Sequence, residues 1–179
     1  MSSQSFKGFL LLSVDLTAFE ESDLLGTGLA RQYLAKLRAT CGDKVVAALL
    51  DAHRAARADA GGAAAGDDST PLDRARLDRA RLDRALRHRI LSDDCLGPVA
   101  RNVIKLWYAG MWYGLPAGWI DTYGAHTAAE TSTVTAASYQ EGLLWRAIGA
   151  NPPGAKAPGY GSWARPPRIE ERYLKGTIQ

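Results

Sequence analysis

Residues 96–113 read Leu96-Gly-Pro-Val-Ala-Arg-Asn-Val-Ile-Lys-Leu-Trp-Tyr-Ala-Gly-Met-Trp-Tyr113. Pro98 falls in a first turn, where its missing N–H has no intrahelical acceptor to lose. Val99, Val103, Ile104, Trp107, Met111 and Trp112 then recur at helical spacing and form one broad apolar face. The stretch predicts a helix running through Tyr113 and buried along one side. The same periodicity appears upstream. Leu29, Ala30, Tyr33, Leu34 and Leu37 share a face, Thr27 suits the N-cap, and Cys41-Gly42 ends the run. Asp43 can cap the next run, whose face is Val45, Val46, Leu49 and Leu50. Residues 5–19 are a further amphipathic candidate. Ser138 and Glu141 have the spacing of a capping box, opening a helix to Ile148 with Gly149 as its stop. Residues 131–135 are strand-like, but no second strand offers itself as a partner. The expected fold is all-α, an irregular helical domain of five or six helices.

Composition sets the outer bounds. The chain has 179 residues, 46% of them apolar, which suits one domain with a real core. The longest apolar run, from Phe9 to Val14, is far short of the ~20 residues of a spanning helix. With 22 basic and 19 acidic residues the net charge is only +3, a weak case for nucleic-acid binding. Any contact with a membrane is expected to be indirect.

That charge is unevenly placed. Residues 72–89 hold seven arginines and three aspartates, which leaves the remainder of the chain at −1. The segment is a short tandem repeat, Leu-Asp-Arg-Ala-Arg from Leu72, again from Leu77, and nearly again from Leu82. Five residues advance a helix by ~140° past a full turn, so the leucines spiral and form no single stripe. Asp73 with Arg76, and Asp78 with Arg81, stand at i,i+3 and can pair. The reading is a solvated, charge-laced helix; its functional alternative is a basic face for anionic lipid or a partner. Residues 59–71, rich in Gly, Ala and Asp, read as a flexible linker. The domain layout is then a helical domain over 1–149, including that linker and the repeat helix at 72–89, followed by an arm over 150–179.

The arm combines proline and glycine with Tyr160 and Trp163. Proline fixes φ and removes donors, which argues against helix or sheet. Large aromatics are unusual in disordered segments and common as interface anchors. An extended arm lying on another surface follows. The five tryptophans, 107, 112, 119, 145 and 163, all belong to the C-terminal part. Trp107 and Trp145 read as core. Trp112, Trp119 and Trp163, beside Gly and Pro, fit a core or an interface equally. Stacking on a sugar ring is a further reading, but no converging carboxylates accompany it.

Catalytic signatures are missing. Gly26-Thr27-Gly28 is followed by Arg31 where a dinucleotide fingerprint needs its third glycine, and no strand pattern precedes it. There is no phosphate-binding loop, no His-Glu-x-x-His and no Gly-x-Ser-x-Gly. Cys41 and Cys95 form no thiolate motif; each reads as a small hydrophobe, with a mutual disulfide as the alternative. His53 reads as a packed side chain, His88 sits among arginines, and His126 has no acidic neighbour in sequence to orient it. The acidic pairs at 20–21, 67–68 and 93–94 point to different sides of a helix, and the first and last suit helix N-termini. No nucleophile, base and orienter are suggested together, so no catalytic, cofactor or metal residue is assigned.

Three blocks resemble a known family. They are Leu16-Thr-Ala-Phe-Glu-Glu-Ser-Asp-Leu-Leu-Gly-Thr-Gly28, the 96–113 stretch, and Tyr139-Gln-Glu-Gly-Leu-Leu-Trp-Arg-Ala-Ile-Gly149 running on through Pro158-Gly-Tyr-Gly-Ser-Trp163. Together they resemble the small subunit of the membrane-bound, FAD-dependent sorbitol dehydrogenase family, which also serves related sugar and polyol dehydrogenases. The likeness spans about residues 9–167 and leaves out the linker and the arginine repeat. It implies a chain with no redox centre that stabilises, and helps to export, a large FAD-containing subunit of the glucose-methanol-choline type. That partner would oxidise a sugar or polyol hydroxyl and pass electrons to a multihaem cytochrome c subunit. The partner-binding residues expected here are Trp112, Trp119, Pro158, Tyr160 and Trp163. Members of the family begin with a twin-arginine leader; residues 1–7 here have one lysine and no arginine pair. The implied location is periplasmic, peripheral to the inner membrane through the complex. Two rival expectations are a stand-alone helical module binding an acidic protein or anionic lipid through the arginine helix, and an independent carbohydrate enzyme built on the tryptophans.

Overall fold

The computed structural model describes residues 3–61, 70–123 and 126–155. The fold is all-α with one two-residue strand pair. Four long helices make the body: α1 (Ser3–Thr17), α3 (Ala30–Gly61), α4 (Pro71–Leu86) and α5 (Leu96–Ala109). Short ones join or follow them: α2 (Glu21–Gly26), α6 (Ala117–Tyr123), α7 (Ala136–Gln140) and α8 (Leu143–Ala147). The strands are β1 (Met111–Trp112) and β2 (Ser132–Thr133). Among the described residues the helices outnumber the expected five or six because several segments are a single turn or two.

Helix α5 is the centre. Leu96, Val99, Ala100, Val103, Leu106 and Trp107 are all buried, and α1, α3, α7, α8 and the π-turn at Arg87–Leu91 pack around it. Asp93 starts it, accepting from the backbone N–H groups of Cys95 (2.9 Å) and Leu96 (2.7 Å), which satisfies two donors the helix cannot pair itself. Trp107 fills the space between α1 and α3, edge-on to Tyr33 at 4.9 Å and stacked on Phe9 at 6.3 Å.

The expected helix through Tyr113 is too long. It stops at Gly110, which takes a left-handed φ of 70°, a conformation glycine adopts without a Cβ clash. The chain then pairs antiparallel, Met111 with Thr133 and Trp112 with Ser132. This supplies the partner that residues 131–135 lacked in the sequence. Buried Asn102 fastens the turn, accepting from the Tyr113 N–H (3.0 Å) and donating to the Tyr113 carbonyl (2.9 Å).

Other boundaries shift for local reasons. The break at Gly42 is real (φ 82°, ψ 155°), but the two runs follow one another as a kinked α3 with no loop between them. Asp43 there pairs with Arg38 at 3.3 Å. Helix α3 continues to Gly61, into the stretch read as linker. The capping box is made by Thr135 and Ser138, not by Ser138 and Glu141. Gly142 then divides the expected 138–148 helix into α7 and α8: its ψ of 129° leaves the helical region, and the Tyr108 carbonyl lies too close for a side chain there.

A methyl at Gly110 would stand 2.2 Å from the Ser138 carbonyl oxygen, in addition to its positive φ. Gly110→Ala is expected to destabilise the protein by about 3 kcal/mol or more, combining backbone strain with displacement of α7. Urea unfolding, read by far-UV circular dichroism, checks this.

Candidate functional site

The three blocks quoted above meet in space. The Tyr108 hydroxyl of α5 donates to the Thr17 carbonyl at the end of α1 (3.0 Å). Its ring lies edge-on to Phe19 at 5.8 Å. Arg146 of α8 reaches across to Asp23 of α2 (2.7 Å) and lies over the Phe19 ring at 5.9 Å. The Ser138 hydroxyl donates to the Gly110 carbonyl (2.8 Å). Residues between 28 and 127 positions apart in sequence are thus held together by one aromatic pair, one cation over a ring and a few hydrogen bonds.

The helices joined in this way show apolar side chains to solvent. Leu25 on α2 is 46% exposed, Leu144 on α8 37%, and Ile148 just beyond it 60%. A shallow cleft of about 130 Å³ lies beside them, bounded by Gly142, Trp145, Arg146 and Pro152. Tyr139 donates its hydroxyl to the Pro153 carbonyl (3.1 Å), and Trp145 donates to the Tyr139 carbonyl (2.8 Å). Residues 150–155 therefore run on alongside α7 packed against the body, with Pro152 and Ala155 buried.

The expected partner-binding residues divide. Trp112 is wholly buried, its indole N–H directed at the Ala128 carbonyl (3.4 Å). Trp119 is 4% exposed and donates to the Cys95 carbonyl (2.8 Å). Both rings are spent inside the fold, so neither is a docking anchor. Pro158, Tyr160 and Trp163 lie outside the described residues. Trp107 is core as expected, and Trp145 is half-buried. The exposed Leu25, Leu144 and Ile148 were not singled out in the sequence, because a lone leucine on a short helix carries no mark of exposure.

A second constellation was also missed. Asp15, 5% exposed, accepts from His53 Nε2 (2.7 Å) and from Arg57 Nε (2.7 Å) and Nη2 (3.1 Å). Arg79 of α4 donates to the Asp15 carbonyl (3.2 Å). The available signal was one charge inside the apolar run of α1 and His53-Arg57 at i,i+4 on α3. Burial pushes the Asp15 carboxyl up, but the hydrogen bonds and charges of His53 and Arg57 outweigh it and bring the pKa down to about 2. A cleft of about 280 Å³ between α1 and α3 is lined by His53, Arg54 and Arg57 with Gly8, Leu11 and Leu50. The acid and its partners satisfy one another, so the cluster ties α1, α3 and α4 together.

The remaining candidates are placed as follows. Both cysteines are free thiols; burial pushes Cys41 up to about 12, with Cys95 adding to the effect. His88 is exposed in the π-turn, and His126 lies in the 3₁₀ turn His126–Ala129. Among the described residues no three His, Cys, Asp or Glu side chains gather as a metal site, and no helix is long and apolar enough to cross a membrane.

Comparison of the chain with protein-family models, with curated proteins and with solved structures finds no match.

Asp15 gives a pH prediction. Its folded pKa lies below the ordinary 3.8. Its contribution is therefore complete above that value and is lost as pH falls through about 2. The shift corresponds to about 2 kcal/mol. Asp15→Asn should remove that acid-limb dependence and lower stability at neutral pH by about 3 kcal/mol, since it leaves buried His53 and the Arg57 guanidinium facing a neutral amide. Urea midpoints measured across the acid range for both proteins check it.

Proposed function

We propose that this chain is a non-catalytic small subunit. It binds and stabilises, and assists the export of, the FAD-containing large subunit of a sugar or polyol dehydrogenase. The single observation carrying this reading is the convergence of the three blocks. Segments that resemble the family at the sequence level are far apart along the chain, yet they pack against one another. The helices they form leave Leu25, Leu144 and Ile148 exposed to solvent, and residues 150–155 run on from them past Tyr139. Exposed apolar side chains beside such a junction suit a docking role.

In this reading the large subunit is of the glucose-methanol-choline type and carries the flavin that oxidises the substrate hydroxyl. A multihaem cytochrome c subunit takes the electrons. The small subunit supplies buried area and no chemistry. The complex is periplasmic and peripheral to the inner membrane. Leu144 and Ile148 replace Trp112 and Trp119 as anchors on the body, while Pro158, Tyr160 and Trp163 remain the anchors of the arm.

Co-expression with a candidate flavoprotein tests the proposal. The large subunit should be soluble and flavin-loaded only with this chain present; a large subunit fully active alone would defeat it. Leu144→Glu with Ile148→Glu should abolish co-purification, since each places a charge in a desolvated contact. Tyr160→Ala with Trp163→Ala should weaken binding by about 2 kcal/mol, roughly thirtyfold in Kd. Titration calorimetry against the purified large subunit measures both.

A further inference from the structure

The arginine repeat lies outside the three blocks and needs its own explanation. In the structure it forms α4, started by Thr70, whose hydroxyl oxygen accepts from the Asp73 N–H (3.2 Å). Leu82, Ala85 and Leu86 turn inward against the core. Two acids of the repeat are taken by its own arginines, Asp78 by Arg81 and Asp83 by Arg79, each at 3.2 Å. Asp73 accepts from the Thr70 hydroxyl (2.6 Å) instead of pairing with Arg76 as expected. Arg89, in the π-turn beyond, is taken by Asp59 of α3. Arg76, Arg84 and Arg87 are exposed and have no ion-pair partner among the described residues.

These three arginines are not scattered. At ~100° per residue, Arg76, Ala80, Arg84 and Arg87 fall within about 80° of arc, opposite the inward-facing Leu82 and Ala85. Asp73 is the one acid on that arc. Leu72 and Leu77 border it on either side and are 61% and 44% exposed. Unpaired guanidiniums flanked by exposed leucines, on a 16-residue helix, are the pattern of a helix that lies in a membrane interface.

We propose that the outer face of α4 docks on an anionic lipid surface, with Arg76, Arg84 and Arg87 on headgroup phosphates and Leu72 and Leu77 inserted beside them. The segment has seven arginines and no lysine. A guanidinium grips a phosphate through two parallel N–H donors, where an ammonium offers a point charge. Exposed leucines favour a bilayer over a rigid acidic protein, which would need shaped pockets to receive them. The inference stands apart from the dehydrogenase reading, because it requires no flavoprotein.

The test is co-sedimentation of the full chain with vesicles of phosphatidylcholine alone and of phosphatidylcholine mixed with phosphatidylglycerol. Binding should appear only with phosphatidylglycerol and fall steeply as salt is raised. Arg76→Glu, Arg84→Glu and Arg87→Glu together should lower the affinity about a hundredfold. The alanine version of the same triple variant, built from the best helix former, should show the same direction of effect with α4 intact by circular dichroism. Leu72→Ser with Leu77→Ser should weaken binding several-fold and leave the salt dependence unchanged. Equal binding to both vesicle types, or undiminished binding by the alanine variant, would overturn the proposal. So would capture by soluble polyglutamate with no vesicle binding, which would assign the face to an acidic protein.

Discussion

No side chain fits where α5 meets α7. Gly110 must take a left-handed turn there, with the backbone of Ser138 against it and the Ser138 hydroxyl on its carbonyl. Everything after residue 110 depends on this approach. The turn lines up Met111 and Trp112 with β2 and places Tyr113 on Asn102. It also puts Trp112 into the core and sets α7 against α5. A helix continued through Tyr113 would have kept its apolar face but lost the β1–β2 pairing, the Asn102–Tyr113 hydrogen bonds and the Ser138 hydroxyl on the Gly110 carbonyl. Buried Asn102 in particular needs those partners, and the shorter helix supplies them.

The second constraint is electrostatic. Asp15 sits in the apolar heart of α1, and burying a lone carboxylate costs several kcal/mol. His53 and Arg57 offset that cost, and they do so from a single helical face of α3. The pairing fixes how α1 lies along α3. Arg79, reaching the Asp15 carbonyl, adds α4 to the same joint. Its inward reach and its pairing with Asp83 together decide which arginines of the repeat are left facing outward.

Much of the architecture was legible in periodicity. The apolar faces of α1, α3 and α5 are long and regular, Pro98 and Gly42 punctuate α5 and α3 where expected, and Gly149 follows the end of α8. The misses were of one kind. Residues 111–113 and 131–135 are too short to show a period, and their pairing is a contact between distant segments. The same holds for the division at Gly142, beside the carbonyl of Tyr108. Trp112 and Trp119 illustrate the limit for sites. Neighbouring Gly and Pro left core and interface equally open, and each indole found a backbone carbonyl inside the fold. Asp15 was readable in principle, since a single charge in an apolar run implies a buried partner, but its partners lay 38 and 42 positions away.

The arithmetic of the repeat explains the charge left on α4. The two complete Leu-Asp-Arg-Ala-Arg copies each bring one acid and two arginines, the third, ending in Leu86, brings one of each, and Arg87 and Arg89 follow with no acid between them. Pairing within and between copies consumes Asp78 and Asp83 and cannot consume the surplus. Because each copy is turned ~140° from the last, the surplus would be spread round an isolated helix. Docking against α3 through Leu82, Ala85 and Leu86 selects the outer part of that spread. The basic face is thus a product of packing acting on a duplication. It belongs to α4 and the first residue of the turn that follows, while exposed Leu25, Leu144 and Ile148 belong to α2 and the end of α8. Lipid on one and a protein partner on the other would use different side chains.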